Sequence, residues 1–576
     1  MKRIAIIDKE KCKPSTCSSE CVKSCPINKK EVECVTIGQK AKIDENLCVG
    51  CGICVKKCPW KAIQIVNLPF PEDKKPVHRY GDNGFVLYNL PIPRENSILG
   101  ILGRNGIGKT SAIKILCGKE KPNFGEKNFN EENLKKFIKG SELIKHFENL
   151  EKKSLSYKPQ NLSFLNVDLK AKELLLERAE EKNVEKLAKE INAHTILEKN
   201  LKTLSGGELQ KIAILATFLK DADIYFLDEP LAYLDIEERI KISDFIKEKS
   251  EGKITIVVEH DLILLDYLTE YINIFFGVPG AYGISSIVKS SSYAINSYLD
   301  GFLKEENLLI RDKKISFNFN KNYLNKGIKL SAWPNFEKEF ENFNLYVKEG
   351  YIKEGHVYGI IGKNGVGKST FIKCLAGLED IKIGDKKQKI NLDLKISYKP
   401  QYLFSDSEEN VSEVVYKEKI KKEICSLFNL EVIFHRKIKD LSGGELQRFS
   451  IARCLSKEAD IYFLDEPSAF LDVEERVSLA KTINDYILEK GKTAFVVDHD
   501  FLLISYVADS ILYFKGERGK FGKVEEPKEF IDGISEMLKD LDITLRKDKD
   551  SNRPRINKKN SVLDREQKEK KQWVIL

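Results

Sequence analysis

A chain of 576 residues, 42% hydrophobic and 32% charged, is long enough for roughly three to four soluble globular domains at about 150 residues each. Its net charge of +8, from 96 basic and 88 acidic residues, is too balanced to define a polyanionic partner by itself. No run of about 18 uncharged apolar residues predicts a membrane span, and the start, MKRIAIIDKEKC, has too short an apolar core for a secretory signal, so a cytoplasmic protein without a membrane is expected.

Nine of the 13 cysteines lie before residue 60. In a reducing compartment such crowding reads as metal ligation before disulfides. Cys48, Cys51, Cys54 and Cys58-Pro59 have the C-x2-C-x2-C-x3-C-P spacing of bacterial ferredoxins. Cys12, Cys17, Cys21 and Cys25-Pro26 are stretched at the front but keep the closing C-x3-C-P. In a two-cluster arrangement each fourth cysteine crosses to the other cluster, giving Cys12, Cys17, Cys21 with Cys58, and Cys48, Cys51, Cys54 with Cys25. Two [4Fe-4S] clusters are expected, with a pair of tetrahedral zinc sites as the alternative. Cys34 has no partner at ligand spacing and reads as a small packed residue.

After Pro69-Phe70-Pro71 strand-like and helix-like segments alternate, which predicts α/β domains with a largely parallel sheet. Gly103, Asn105, Gly106 and Gly108 ahead of Lys109, Thr110 and Ser111 form a P-loop after the strand SILGIL. Gly362, Asn364, Gly365 and Gly367 ahead of Lys368, Ser369 and Thr370 form another after VYGII. The glycines let backbone N–H groups cradle phosphate, the lysines neutralise β/γ oxygens, and Thr110 and Ser369 ligate Mg²⁺.

The stretch Leu204 to Asp235, LSGGELQKIAILATFLKDADIYFLDEPLAYLD, returns as Leu441 to Asp472; Ser205/Ser442, Asp228/Asp465 and Asp235/Asp472 share one offset of 237 residues. A constant offset across turn and strand means a duplicated structural unit. Asp228 and Asp465 end apolar DIYFL strands and supply carboxylates for Mg²⁺, while Glu229 and Glu466 are placed to polarise the attacking water. Gln160 and Gln401, each in SYKPQ, can reach the metal, and His260 and His499, each after an apolar strand, the γ-phosphate.

Together these motifs resemble ABC-type ATPases, whose signature is LSGGE. That resemblance implies two nucleotide-binding domains in head-to-tail arrangement, with Ser442, Gly443 and Gly444 covering ATP held by Lys109, and Ser205, Gly206 and Gly207 covering ATP held by Lys368. Asp235 and Asp472 match the loops that communicate between the sites. Among ABC proteins the chain resembles the E subfamily, the ribosome-recycling ATPases also called RNase L inhibitor. The likeness rests on the eight-cysteine start, HRYG at His78, GSEL at Gly140, GVPGAYG at Gly277, YLDGF and ENLLIRD up to Asp312, and RPRINK followed by SVLDREQK.

That likeness implies a ferredoxin-like α+β Fe–S domain at 1–72 with structural clusters, nucleotide-binding domains at 73–276 and 313–514, a hinge at 277–312, and a second hinge with a basic tail at 515–576. Tyr80 and Phe85 match the adenine-side aromatics, with Trp333 standing at the corresponding place of the second half. Residues 130–153 resemble a helix-loop-helix insertion that touches small-subunit ribosomal RNA. From Arg546 to Lys571 eleven basic residues face five acidic ones, an excess suited to RNA phosphate. Leu231-Ala232 and Lys211 depart from the family pattern, and unequal hydrolysis at the two sites is expected. The implied activity is ATP hydrolysis by a monomer that splits ribosomes into subunits. Its implied partners are the small ribosomal subunit, a release factor or Pelota-like protein, and initiation factors. The alternatives are a soluble ABC ATPase acting on another nucleoprotein and a redox-coupled ATPase.

Overall fold

The computed structural model describes residues 3–575 apart from 10, 45–46, 68–74, 127–130, 140–142, 149–151, 313, 318–327, 385 and 402–405. The composition break at Pro69-Phe70-Pro71 and the Gly140, Ser141 and Glu142 positions of GSEL lie outside the described residues. The chain forms two compact units: Met1–Pro230 with Lys247–His260 and Thr269–Asp312, and Leu231–Ile246 with Asp261–Leu268 and Lys313–Leu576.

The first unit opens with a small α+β region. Strand Arg3–Ile7 pairs antiparallel with Ile63–Asn67, bringing its two ends together. Between them lie the short helices Glu20–Lys23 and Ile53–Lys57 and a hairpin of Val35–Ile37 with Ala41–Ile43. Here Ala5, Ile7, Val35, Ile43 and Ile63 share their core with Cys12, Cys21, Cys25, Cys34 and Cys54.

A nine-stranded sheet follows in the same unit. Its centre is parallel: Ser97–Gly103 lies between Tyr271–Val278 and Ile254–Val258, and Ile224–Asp228 and Leu155–Lys158 continue outward. The strands Ser97–Gly103, Ile224–Asp228 and Ile254–Val258 are buried along their whole length. That is why they read as continuous apolar runs rather than alternating ones. The register pairs Val258 with Asp228, so the residues that follow both strand ends emerge side by side.

The second unit repeats this plan in an eleven-stranded sheet, with Val357–Gly362 between Ser510–Glu517 and Thr493–Val497, then Ile461–Asp465 and Ile396–Lys399. Its C-terminal part adds a three-stranded sheet of Leu545–Lys547, Pro554–Ile556 and Val574–Ile575 beside the helix Val562–Glu569. Among the described residues no helix is long and apolar enough to cross a membrane.

Candidate nucleotide and iron-sulfur sites

Each central strand hands over to a helix through a glycine turn. Gly106 and Gly108 have φ of 74° and 88°, and Gly365 and Gly367 of 73° and 93°. Those backbone conformations suit glycine, and they aim successive N–H groups into one hollow at the starts of Lys109–Leu116 and Lys368–Leu375. Lys109 Nζ donates to the carbonyls of Gly103 and Arg104 at 2.9 and 2.7 Å, and Lys368 Nζ to those of Gly362 and Lys363 at the same distances. Burial lowers Lys368 to about 8, against the charges of Asp235, Glu466 and Asp465, which raise it. It therefore remains mostly cationic at neutral pH, and an anion in that hollow favours the charged form further.

At the strand ends the two sites match nearly atom for atom. Glu229 Oε1 accepts from Gln160 Nε2 at 2.8 Å and stands 3.3 Å from His260 Nε2; Glu466 Oε1 accepts from Gln401 Nε2 at 2.7 Å and stands 3.5 Å from His499 Nε2. Both glutamates are left-handed, with φ of 49° and 46°, a strained state for a side-chain-bearing residue that clusters at functional sites. Burial raises each carboxyl, but the histidine, the glutamine and the P-loop lysine outweigh it and hold both at about 2. Each is therefore an anion, able to orient water by hydrogen bonding rather than to remove its proton outright.

The preceding aspartates behave oppositely. Burial pushes Asp228 and Asp465 up to about 6, against the pull of the Thr110 and Ser369 hydroxyls. Both oxygens of each carboxylate are buried and lack hydrogen-bond partners of good geometry. A hard cation held by Thr110 and Asp228, or by Ser369 and Asp465, completes such a pocket, so the residues fit Mg²⁺.

Two lysines that the sequence did not single out lie beneath these carboxylates. Lys158 Nζ donates to the backbone carbonyls of Asp228 and Glu229 at 2.8 and 2.9 Å, and Lys399 Nζ to those of Asp465 and Glu466 at 2.7 and 3.2 Å. Both are almost fully buried, and each clamps the chain where it leaves the strand. Gln210 and Gln447, from the signature helices, bond the carbonyls of Glu229 and Glu466. The K of SYKPQ, two residues before the glutamine, was the available signal.

The signature segments start the helices Gly206–Phe218 and Gly443–Ser456, where Ser205 and Ser442 accept from the backbone N–H groups of Glu208 and Glu445 in capping boxes. Gly206, Gly207, Gly443 and Gly444 occupy the first turns of these helices, a helix end that favours anions. Within the second unit, Asp235 Oδ2 accepts from the Asn364 N–H at 2.8 Å, and Lys363 pairs with Glu237 at 2.9 Å. Asp472 caps the helix Val473–Lys490 by accepting from the Glu475 N–H at 3.0 Å.

The aromatic readings divide. Tyr80 is 38% exposed and lies 6.3 Å from Phe85, whose ring packs so close to Gly108 that a Cβ there would meet it at 2.8 Å. Trp333 does not stand at the corresponding place. It is 2% exposed, donates Nε1–H to the Lys348 carbonyl at 2.9 Å, and packs against Phe371 and Phe495 in the sheet core. The matching pair is Phe340 and Phe343: their rings are also 6.3 Å apart, Phe340 is 44% exposed, and a Cβ on Gly367 would meet Phe343 at 2.9 Å.

Burial raises the Cys21 thiol, with Cys58, Cys17 and Cys12 adding to the shift, and pushes the Cys54 thiol up to about 11, with Cys48, Cys51 and Cys21 adding to it. A small hollow of about 20 Å³ is lined by Cys25, Cys48, Cys51 and Cys54. Among the described residues no three thiol, imidazole or carboxylate groups converge on a single-ion centre. Cys34, which has no partner at ligand spacing in sequence, lines the same cavity and touches Cys25 and Cys48.

This region is bolted to the first nucleotide site. Asn83, 2% exposed and on the turn between Tyr80 and Phe85, accepts from the Ile43 N–H at 2.8 Å and donates to the carbonyls of Ala5 and Ile43 at 3.2 and 2.9 Å. Its own carbonyl accepts from the Ile7 N–H at 2.9 Å, and Lys42 pairs with Asp82 at 2.9 Å.

Of the 130–153 insertion, helices Glu131–Ile138 and Leu143–Glu148 are described. Leu143 joins the domain core, and buried His146 bonds through Nε2 to the carbonyl of Leu116, the last residue of the P-loop helix, at 2.8 Å. The tail is less free than its charge count implies. Fully buried Arg553 pairs with Asp266 at 2.9 Å, and Arg555 with Asp266 and Asp548 at 2.6 and 3.0 Å. Lys558, Lys559, Lys570 and Lys571 remain exposed.

Two P-loops, two strand-end carboxylate pairs and two capped LSGGE helices define a tandem ABC-type P-loop ATPase. Residues 91–232 and 347–469 match the ABC transporter family, residues 3–33 a domain described as a possible Fer4-like domain in RNase L inhibitor, and residues 41–64 the 4Fe-4S binding domain. The chain belongs to the E family of ABC proteins, the RNase L inhibitor group. It is 39% identical to ABC transporter E family member 1 of Arabidopsis thaliana, over 98% of this chain and 97% of that one. It is 37% identical to the translation initiation factor RLI1 of Saccharomyces cerevisiae, over 100% and 98%. A ribosome-bound model of archaeal Pelota and ABCE1 contains a chain 42% identical to it, with a TM-score of 0.92 over 100% of this chain and 99% of that one.

Proposed function

We propose that this protein is an ATP-driven ribosome-recycling factor: ATP binding and hydrolysis at its two P-loop sites move an iron-sulfur domain that separates the ribosomal subunits. The observation that carries this reading is the Asn83 bolt, which joins the cysteine-rich region to the turn holding Tyr80 and Phe85. Nucleotide at the first site thereby acts on the element that carries the iron-sulfur domain. Full-length likeness to a chain set with Pelota on the ribosome supports the choice of substrate and partner, and the RLI1 relative supports a place near initiation.

In this reading Lys109 and Lys368 bind the β- and γ-phosphates, and Thr110 with Asp228 and Ser369 with Asp465 hold Mg²⁺, reached also by Gln160 and Gln401. Glu229 and Glu466 orient the attacking water, and His260 and His499 hold those carboxylates until the γ-phosphate takes their place. Ser205 to Gly207 and Ser442 to Gly444 supply helix N-termini to the nucleotide of the opposite site. Cys12, Cys17, Cys21 and Cys58 hold one [4Fe-4S] cluster and Cys48, Cys51, Cys54 and Cys25 the other. The clusters supply rigidity to a region whose core is shared between aliphatic side chains and thiols.

The test is subunit splitting on purified ribosomes with Glu229→Gln and Glu466→Gln. Both variants bind ATP and lose repeated turnover, and splitting becomes single-round or absent. Splitting indifferent to ATP and to both substitutions overturns the proposal.

A further inference from the structure

The two aromatic platforms differ in what stands behind them. Glu120 follows Lys109 by eleven residues and Glu379 follows Lys368 by eleven, so both leave the P-loop helices at the same place. His78 precedes Tyr80 by two residues, as Lys338 precedes Phe340. In the first site the Tyr80 phenol donates to Glu120 Oε2 at 2.8 Å and lies 2.8 Å from Ser111 Oγ. Glu120 Oε1 is 3.1 Å from His78 Nε2, and the His78 ring meets Tyr80 edge-on at 4.6 Å. In the second site Glu379 Oε2 pairs with Lys338 Nζ at 2.9 Å, and that ammonium sits 4.9 Å from the centroid of Phe340.

We infer that Glu120 and Glu379 are positioning residues for the two nucleotide bases, and that what each one clamps makes the sites unequal in base binding. The inference rests on the platform reading of Tyr80 and Phe340 given above.

A half-exposed ring on a turn has rotamer freedom to lose when a base stacks on it. Glu120 removes that freedom beforehand: a charged acceptor fixes the phenol, and the His78 edge closes one side. Preorganisation of this kind raises affinity by cutting the ordering cost. Phe340 has no hydroxyl for Glu379 to hold. There the glutamate acts one step away, keeping Lys338 over the ring as a cation–π partner, while Phe340 stays 44% exposed. The first platform is thus set by a directional hydrogen bond and the second by a softer electrostatic contact.

The test separates base from phosphate in the full-length protein. With Lys368→Ala isolating the first site, binding of ATP and of tripolyphosphate, which has no base, is measured for Glu120→Gln, Tyr80→Phe, the double variant and Tyr80→Ala. Glu120→Gln weakens ATP about five- to tenfold and leaves tripolyphosphate unchanged, and in Tyr80→Phe it adds no further loss, as a shared interaction requires. With Lys109→Ala isolating the second site, Glu379→Gln and Lys338→Met weaken ATP less, non-additively, and spare tripolyphosphate. If Glu120→Gln leaves ATP binding intact, or lowers both ligands equally, while Tyr80→Ala lowers ATP alone, the positioning role is overturned and the platform stands. If Tyr80→Ala also fails to separate ATP from tripolyphosphate, the platform reading itself falls.

Discussion

The carboxylate of Asp235 accepts a hydrogen bond from the backbone N–H of Asn364 at 2.8 Å, across 129 residues of chain. Burial raises that carboxyl, and the N–H groups of Asn364 and Glu238 with the charges of His499 and Lys368 reverse the effect, so Asp235 is held below the usual carboxylate range. Seven residues earlier the same stretch carries Asp228. Within the second unit, Asp235 is thus tied to the loop that precedes Lys368.

Replacing Asp235 with alanine leaves the Asn364 N–H without its charged acceptor. A hydrogen bond to a charged group is worth about 1.5–3 kcal/mol, so second-site ATP binding, read in Lys109→Ala, weakens about tenfold or more. Asp235→Asn keeps an acceptor oxygen and loses less. Equal affinity in wild type and Asp235→Ala, by equilibrium binding of a fluorescent ATP analogue, refutes the coupling.

The raised Asp228 and Asp465 give a pH dependence with a definite sign. Mg²⁺ needs the carboxylates ionised, and burial sets both at about 6. Above that value the sites are ready. As pH falls through it, protons compete with the metal and Mg²⁺ affinity drops up to tenfold per unit. Glu229 and Glu466, held at about 2, stay ionised throughout. Titration of Mg²⁺-dependent nucleotide binding between pH 5 and 8 checks this, and a flat profile contradicts it.

The P-loops, the DIYFL strands and the LSGGE helices were legible because each needs its residue types in one continuous stretch: glycines for left-handed turns, an all-apolar run for a strand buried on both faces, serine and glutamate for a capping box. Phe340 was not legible. Its place is defined by nearness to Gly367, and nothing in KEFENF announces that, whereas the bulkier Trp333 drew attention and belongs to the core. Lys158 and Lys399 looked like ordinary polar residues of strand ends, since only the fold brings the carbonyls of Asp228 and Asp465 over them. Arg553 looked like one more tail charge because Asp266 is 287 residues away.

For the second platform, Phe340→Ala lowers second-site ATP affinity by about 1–3 kcal/mol, the worth of one base–aromatic stack, with little change in thermal stability. Trp333→Ala does the reverse, since emptying a core position of that size costs about 3–5 kcal/mol. Melting curves set beside ATP binding distinguish them, and loss of base affinity from Trp333→Phe alone restores the tryptophan to the site.

The tail yields a contrast between two kinds of arginine and lysine. Arg553 is fully buried against Asp266, so Arg553→Ala strands a carboxylate in the interior and costs about 3–5 kcal/mol. The midpoint of chemical unfolding of the second unit then falls, and Asp266→Asn together with Arg553→Met recovers much of the loss. Lys558 and Lys559 are exposed, and replacing both with alanine leaves that midpoint in place. If the tail meets RNA phosphate, the double lysine variant reduces the salt dependence of ribosome binding by about two counterions in slope. An unchanged slope with wild-type stability assigns the exposed lysines to solvent and removes the tail from the RNA contact.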